Sequence, residues 1–395
     1  MAKVLLVDTN FSSAPIYRSL VADGHEVHVV GGNPDDCLAK QAAHYWRLDY
    51  SDTEALSALV SAQGFSHLVP GCTDRSYASC VAIGEGRFAG LDSLFSTSSI
   101  NHKGKFRHVA AQLGLPIPRV FADAATAVGE SVIVKPPDAF SGKGISILVD
   151  ADRARLDDAM ACARAASASG QVMIEEFVEG QLYSHSAFLV RHKIVCDFLV
   201  REDGTANRFV VDTSRVLDVS EFETFMNPLR NGIEALAAHL GLNDGLLHTQ
   251  FIACDKRLWL IETTRRCPGD LYSQLIELST GYAYAHNYTR PFLGDAPIGH
   301  RCGALRPIMR HTISVPAAQA FDHVHFLRPL EIERYVPLHL VGAHLSPSPH
   351  SRVALMFCRE RSQEALDELY ATTLRRGLYA VSDGRDTPQV AAARA

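Results

Sequence analysis

Several things are missing from this 395-residue chain, and each absence removes a class of protein. It has no Cys-x-x-Cys pair. Its nine cysteines are odd in number and scattered from Cys37 to Cys358, which argues against a disulfide framework and against a thiolate zinc site. Most stand in apolar runs, as Cys254 and Cys358 do, where cysteine behaves as a small hydrophobe. It has no excess of positive charge: 38 Lys and Arg face 44 Asp and Glu, a net −6, so no nucleic-acid partner is expected. No apolar run reaches the roughly 18 residues that span a bilayer, so no membrane partner is expected either. The opening MAKVLLVDTNF reads as a strand rather than a signal peptide, and with the cysteine pattern it makes the cytoplasm the expected location. The glycine fingerprint of a dinucleotide site is also lacking. Asp8-Thr9-Asn10-Phe11-Ser12-Ser13 follows the first strand, which sets a nicotinamide enzyme aside.

What is present is an ordinary globular balance, 47% hydrophobic and 21% charged, over a length that predicts two or three domains. The first hundred residues alternate strand and helix: a strand at 3–7, a helix at 15–22, a strand at 26–30, a helix at 53–62 and a strand at 67–69. That order predicts a parallel sheet with helices on its faces. Pro70-Gly71-Cys72-Thr73-Asp74 closes the last of these strands at its carboxyl end, where α/β sheets place ligands.

After Asn101 the texture changes. A helix is predicted over 105–113, stopped by Gly114 and Pro116, then a strand at 131–134 that enters Lys135-Pro136-Pro137-Asp138-Ala139-Phe140-Ser141-Gly142-Lys143-Gly144 and a strand at 145–149. A strand on either side of a Gly- and Lys-containing loop makes a hairpin flap, not a Walker loop. A helix at 153–168 and a strand at 172–177 follow. Asn227-Pro228 reads as an N-cap and first-turn proline, with Leu229, Ile233, Leu236 and Leu240 as the buried face. Strands at 247–253 and 257–262 form a hairpin that places Gln250 and Glu262 on paired strands, with Thr264 two residues on from Glu262. Oxygen donors of this kind suit a hard divalent cation bound together with phosphates.

In order, then, the chain carries Lys103, the Lys135 strand with its flap, Glu175-Glu176-Phe177-Val178-Glu179-Gly180, and the hairpin ending Ile261-Glu262-Thr263-Thr264-Arg265-Arg266-Cys267-Pro268-Gly269. Over residues 1 to about 300 this resembles the ATP-grasp superfamily of carboxylate–amine ligases, which includes biotin carboxylase, D-alanine–D-alanine ligase and the carbamoyl-phosphate synthetase large chain. The resemblance implies an α/β fold with an N-terminal parallel-sheet (Rossmann-like) domain over 1–100 and a two-lobed ATP-grasp domain over 101–298. The small lobe would span about 120–180 and the large lobe about 181–298. Residues 299–395 would form a small α+β domain packing on the large lobe.

Residue by residue, the resemblance implies ATP as cosubstrate, with Mg²⁺, or Mn²⁺ in its place. Lys103, reaching in from the linker, and Lys135 would bind phosphates. Ser141, Gly142 and Gly144 would let the flap close over them. Glu175, Glu176 and Val178 would belong to the hinge that reads adenine. Gln250, Glu262 and Thr264 would hold the metal, and Arg266 would stabilise the transferring group, followed by the family glycine at Gly269. Arg215 stands where the family often projects a basic residue at the phosphoryl group. Two departures are visible: Thr264 replaces the usual Asn, and Leu182 stands where a ribose-contacting Glu is common. The implied activity is ATP-dependent joining of a small carboxylate to an amine, amino acids among the candidates, through an acyl phosphate and with release of ADP; homodimers occur among relatives. A small-molecule kinase on the same scaffold and a non-catalytic nucleotide-binding protein are the alternatives. His323-Val324-His325, although spaced for one strand face, is expected to be structural, and Cys72 has no activating base near it in sequence.

Overall fold

Strand β1 (Lys3–Val7) has four fully buried residues, as a strand covered on both faces must. It pairs in parallel with β2 (Glu26–Gly31) on one side and with β4 (His67–Pro70) on the other, and β3 (His44–Arg47) adds to β2. The order β3-β2-β1-β4 reverses direction between β1 and β4, so their carboxyl ends flank a crevice. Helices α1 (Ala14–Ala22), α2 (Cys37–Gln41), α3 (Thr53–Gln63) and α4 (Asp74–Gly84) connect these strands. Helix α3 is capped by Asp52 and stopped by Gly64 at φ +65°, and α4 is capped by Thr73, whose hydroxyl accepts from Ser76 N. The computed structural model describes residues 1–138, 142–255, 257–299 and 304–385.

Helices α5 (Leu94–Asn101) and α6 (Lys103–Gln112) lead to a small antiparallel sheet, ordered β5-β8-β6-β7. Its strands are β5 (Val120–Phe121), β6 (Val132–Lys135), β7 (Ser146–Leu148) and β8 (Met173–Glu176), with α7 (Ala124–Ala127) and α8 (Arg153–Ala166) packed on it around Val132, Val134, Leu156 and Ala163. The long strands β9 (Gln181–Val190) and β10 (Lys193–Asp203) are not among the sequence-based expectations. After β11 (Thr213–Leu217) comes α9 (Glu223–Leu240), and then β12 (Gly245–Cys254) and β13 (Arg257–Thr264). Strands β13-β12-β9-β10 lie side by side, β12 antiparallel to both neighbours. Helices α10 (Tyr272–Thr280) and α11 (Tyr284–Thr289) follow.

Two expectations are corrected here. Helix α9 does not begin at Asn227-Pro228. It starts at Glu223, after a short 3₁₀ turn over Val219–Phe222 whose cap is Asp218, and Pro228 lies inside it. The Asn227 amide donates back along the helix to Glu223 Oε2 (3.3 Å) instead of capping, so the Asn-Pro signal marks nothing. The predicted buried face is right: Leu229, Ile233, Leu236 and Leu240 pack against Leu247, Phe251, Leu258 and Leu260. Helix α6 begins at Lys103, two residues earlier than expected, because the His102 ring accepts from Lys105 N and serves as its cap. Lys103 is therefore a helical residue, not a linker residue.

Clustering of the chain gives two units, Met1–Arg201 with Leu217–Leu305, and Glu202–Val216 with Arg306–Ala395. In the second, β11 pairs with β14 (Ile308–Ile313), and further strands are β15 (Gln319–Ala320), β16 (His323–Phe326), β17 (Ile332–Pro337), β18 (His344–Leu345), β19 (Ala354–Arg359) and β20 (Tyr379–Ser382). Helix α12 (Gln363–Leu374) buries Leu366, Leu369 and Tyr370 in a core with Met309, Ile313 and Met356. No helix among the described residues is long and apolar enough to cross a membrane.

Candidate active site

Alternation along β12 sends Leu247, Phe251 and Ala253 into the core and leaves His248 and Gln250 on the other face. On β13, Leu258 and Leu260 are core residues, so strict alternation would send Glu262 there as well. It does not go there. Phe251 pairs with Leu260 but Gln250 pairs with Glu262, so Ile261 is an extra residue in a β-bulge. The bulge reverses the parity of β13 and sets Glu262 opposite Gln250 and Thr264 opposite His248. One sheet face thus carries Gln250, Glu262, Thr264 and His248.

The loop from β4 to α4 meets this face. Asp74 Oδ1 accepts from Thr264 Oγ1 (2.8 Å) and from Arg266 Nε (3.0 Å), and Oδ2 accepts from Arg266 Nη2 (3.2 Å). Burial would raise the Asp74 pKa, but the Arg266 charge and hydrogen bonds outweigh it and hold the carboxyl below its usual range. For Arg266, burial works against the cation and Asp74 more than restores it. The loop is itself tied to the end of β1: Cys72 N donates to Asp8 Oδ2 (3.1 Å) and Ser13 Oγ (3.0 Å), and Gly71 N donates to Ser76 Oγ (2.8 Å). Asp270 N, just past Gly269, donates to Ser12 Oγ (3.0 Å). The carboxyl edge of the parallel sheet and the end of the hairpin therefore form one hydrogen-bonded assembly.

Lysines approach from the other side. Lys103 Nζ lies 3.8 Å from Glu262 Oε2, and one helical turn on, Arg107 Nε donates to Glu175 Oε1 (2.5 Å). Glu175 also pairs with Lys135. Burial favours neutral Glu175, yet the Lys135 and Arg107 charges together keep its pKa below the usual value. Burial dominates at Lys135 and lowers its pKa despite Glu175. The Glu175 side chain neutralises two buried cations, Arg107 and Lys135. Arg107 Nη1 is buried with no hydrogen-bond partner among the described residues. In the hinge segment, Glu176 Oε2 accepts from Arg119 N (3.2 Å) and Val178 is buried. In the flap, Gly142 and Gly144 both have positive φ, 74° and 69°. A side chain on Gly144 would strike Ala166 Cβ (2.5 Å) on α8, so packing as well as conformation requires glycine there. Ser141 lies outside the described residues.

Other candidates have partners of their own. Arg215 belongs to the second unit, where its guanidinium pairs with Asp367 and lies over the Tyr370 ring (5.3 Å). His323 pairs with Asp322 (2.7 Å), and the one metal-spaced group of His, Cys, Asp and Glu side chains found among the described residues is Glu26, His28 and His44, on β2 and β3. There Trp46 Nε1 donates to His28 Nδ1 (3.0 Å), so the proton of the neutral ring is on Nε2, donated to Glu26 (2.8 Å). Sequence reading missed Arg107 and His248. The spacing of Arg107, four residues after Lys103 on a helix, was the available signal for the first. For His248 it was a histidine two residues from Gln250 on a strand.

This architecture is matched over nearly its full length by solved structures. Phosphoribosylglycinamide synthetase from Anaerococcus prevotii superposes with a TM-score of 0.75 at 14% identity, covering 96% of this chain and 99% of that one. L-amino acid ligase from Bacillus licheniformis gives 0.75 at 16% identity, covering 96% and 98%. The biotin carboxylase domain of Hydrogenobacter thermophilus 2-oxoglutarate carboxylase gives 0.73 at 16%, covering 97% and 91%. The chain has the ATP-grasp fold. In sequence it is similar to formate-dependent phosphoribosylglycinamide formyltransferase: the Burkholderia cenocepacia protein is 32% identical over 193 residues, 45% of this chain and 46% of that protein. The Corynebacterium glutamicum protein is 29% identical over the same length. The chain thus matches about half the length of these curated relatives, and no family model matches it.

Proposed function

We propose that the protein is an ATP-dependent carboxylate–amine ligase that releases ADP and phosphate. The observation that carries this reading is the meeting of Gln250, Glu262, Lys103 and Arg266 beside the carboxyl edge of the parallel sheet. In the reaction a carboxylate oxygen bonds to the γ-phosphorus of ATP and ADP departs. The amine nitrogen then bonds to the acyl carbon, phosphate departs, and the nitrogen gives up a proton.

The residues fit the groups this chemistry needs. A Gln carbonyl, a carboxylate and a hydroxyl are oxygen donors of the kind Mg²⁺ takes, and Gln250 and Glu262 would hold it. When bound, the cation offsets charge on the phosphates. Lys103 and Lys135 are compact cations suited to polyphosphate, and the orphaned Arg107 Nη1 adds a buried donor beneath them. Arg266, held in a fixed plane by two bonds to Asp74 and with Nη1 donating to the Cys267 carbonyl (3.4 Å), would offset developing negative charge through its fixed cation. The relatives named for formate and phosphoribosylglycinamide make formate a carboxylate to try first, and the amino acid ligase neighbour makes amino acids the next. The engagement of the Thr264 proton by Asp74 and the tie from Glu175 to Lys135 favour a second reading, a protein that binds nucleotide without turning it over.

Nucleotide fate separates them. The protein is incubated with Mg·ATP and pooled carboxylates, with and without pooled amines. ADP formed only when both pools are present is the expected result, and Glu262→Gln or Lys135→Ala should lower its rate by about a hundredfold or more. ADP and a stable phosphorylated product with one pool alone would make it a kinase. Binding without any ADP would leave the second reading.

A further inference from the structure

His248 has a hydrogen-bonding arrangement that nothing above explains. Its ring is buried, 6% exposed, on the face of β12 that carries Gln250, opposite Thr264. Nδ1 is 2.9 Å from Ser186 Oγ, and Ser186 Oγ is in turn 3.1 Å from the hydroxyl of Tyr284 and 3.4 Å from that of Tyr272. Nε2 makes no hydrogen bond among the described residues. The ring lies in the field of Arg266 and Asp74. A buried imidazole thus stands among the polar residues of the site face.

The direction in which these hydroxyls donate sets which nitrogen carries the proton. Ser186 has a single proton and the imidazole Nδ1 is its nearer acceptor, 2.9 Å against 3.4 Å for Tyr272. With Tyr284 O–H donating to Ser186 Oγ, the chain Tyr284 to Ser186 to His248 runs in one direction. Nδ1 then accepts, and the neutral ring keeps its proton on Nε2. A neutral N–H fixed by buried hydroxyls is a preorganised donor of the oxyanion-hole type.

We infer that His248 donates its Nε2–H to the acyl oxygen of the substrate carboxylate, beside Arg266, and so stabilises the charge that grows on that oxygen when the amine attacks. The inference rests on the ligase reading above. It adds a catalytic residue to that site and makes Ser186 the positioning residue that holds the tautomer. No electron or proton is transferred to the ring; the hydrogen bond strengthens as the carbonyl becomes a tetrahedral oxyanion.

Three measurements test it. The first is the ¹⁵N spectrum of the histidine-labelled, unmodified protein, which needs no substitution. The His248 shifts should report the Nε2–H tautomer, and an Nδ1–H tautomer would overturn the inference. The second is kinetic, with formate and the common L-amino acids as carboxylate probes and ADP release as the signal. His248→Ala should leave the ATP dissociation constant within about twofold and lower kcat/KM for the best probe about a hundred- to a thousandfold. His248→Gln, which restores an N–H donor, should recover about tenfold of that loss. The third is Ser186→Ala, which should lower kcat more than it raises KM, because it frees the tautomer without removing the ring. A His248→Ala enzyme within about threefold of the unmodified one would sink the donor role while leaving the ligase reading intact. Absence of ADP release by the unmodified protein with every probe would remove the ligase reading and this inference together.

Discussion

Glu175 shows how much one side chain can hold. Its carboxylate is buried between Arg107 and Lys135, and its removal leaves two buried cations without their counter-charge. Breaking a buried pair by deleting one partner typically costs about 3–5 kcal/mol, far more than the pair contributes against an apolar substitute. Glu175→Gln is therefore expected to lower the unfolding free energy by an amount of that order in urea denaturation, and to weaken ATP binding as Lys135 loses its anchor. A change below about 1 kcal/mol would mean the cations find other partners. Arg265 makes the contrasting case beside the site. It is buried, donates to Asp92 Oδ2 (2.7 Å) and to the Leu246 carbonyl (2.6 Å), while its neighbour Arg266 pairs with Asp74. The sequence shows two adjacent arginines and does not distinguish them by composition; the resemblance points to Arg266, and the structure pairs that residue with Asp74.

At the scale of elements, the turn from β4 to α4 governs the site from a distance. Gly71 has no room for a side chain: a Cβ there would collide with the side chain of Asp8 and with Ser13 Oγ (2.7 Å). Gly71→Ala should push the loop off the end of β1, displace Asp74, and let Arg266 swing. Overpacking of this kind costs about 1–3 kcal/mol, and it should be read as a lowered melting temperature with a loss of turnover larger than the loss of ATP affinity. Unchanged turnover would show that Asp74 does not position Arg266. The elements themselves were largely legible in advance. The parallel strands, the flap strands and the buried face of α9 follow from periodicity and punctuation, which are local properties. The start of α9 differs from the expectation because Asn-Pro imitates a cap, while the helix runs straight on from the Asp218-capped 3₁₀ turn with no side-chain cap of its own. The bulge at Ile261 was not legible. Leu258, Leu260 and Glu262 have one parity in the sequence, and only pairing with β12 shows that the parity is broken.

At the scale of the whole molecule, acid should weaken the second unit before it affects most carboxylates. Burial pushes His311 down to about 4 from an ordinary value of 6.5, and the neutral ring is held by Thr213 Oγ1 (2.8 Å) and the Tyr379 hydroxyl (3.1 Å). Below pH 6.5 the unfolded chain binds a proton that the folded chain refuses, so stability falls as the pH drops toward 4 and levels off below. The full loss is on the order of 3 kcal/mol, at about 1.4 kcal/mol per pKa unit. Denaturation midpoints of the intact protein between pH 7 and 5 should therefore slope downward, and His311→Gln should flatten that slope. Equal slopes in the two proteins would discount this histidine.

The sequence by itself determined the order of the N-terminal strands and helices, the buried face of α9, and the types of residue available for phosphate and cation chemistry. These depend on composition and on spacings of a few residues, which backbone geometry converts directly into faces and ends. Only the tertiary structure decided which of those residues meet. Thr264 and Arg266 find Asp74 about 190 positions away, Glu175 finds Arg107 and Lys135 across separate elements, and the bulge turns Glu262 toward Gln250. Such meetings depend on strand register and on the packing of distant segments, and a single extra residue in one strand reverses them.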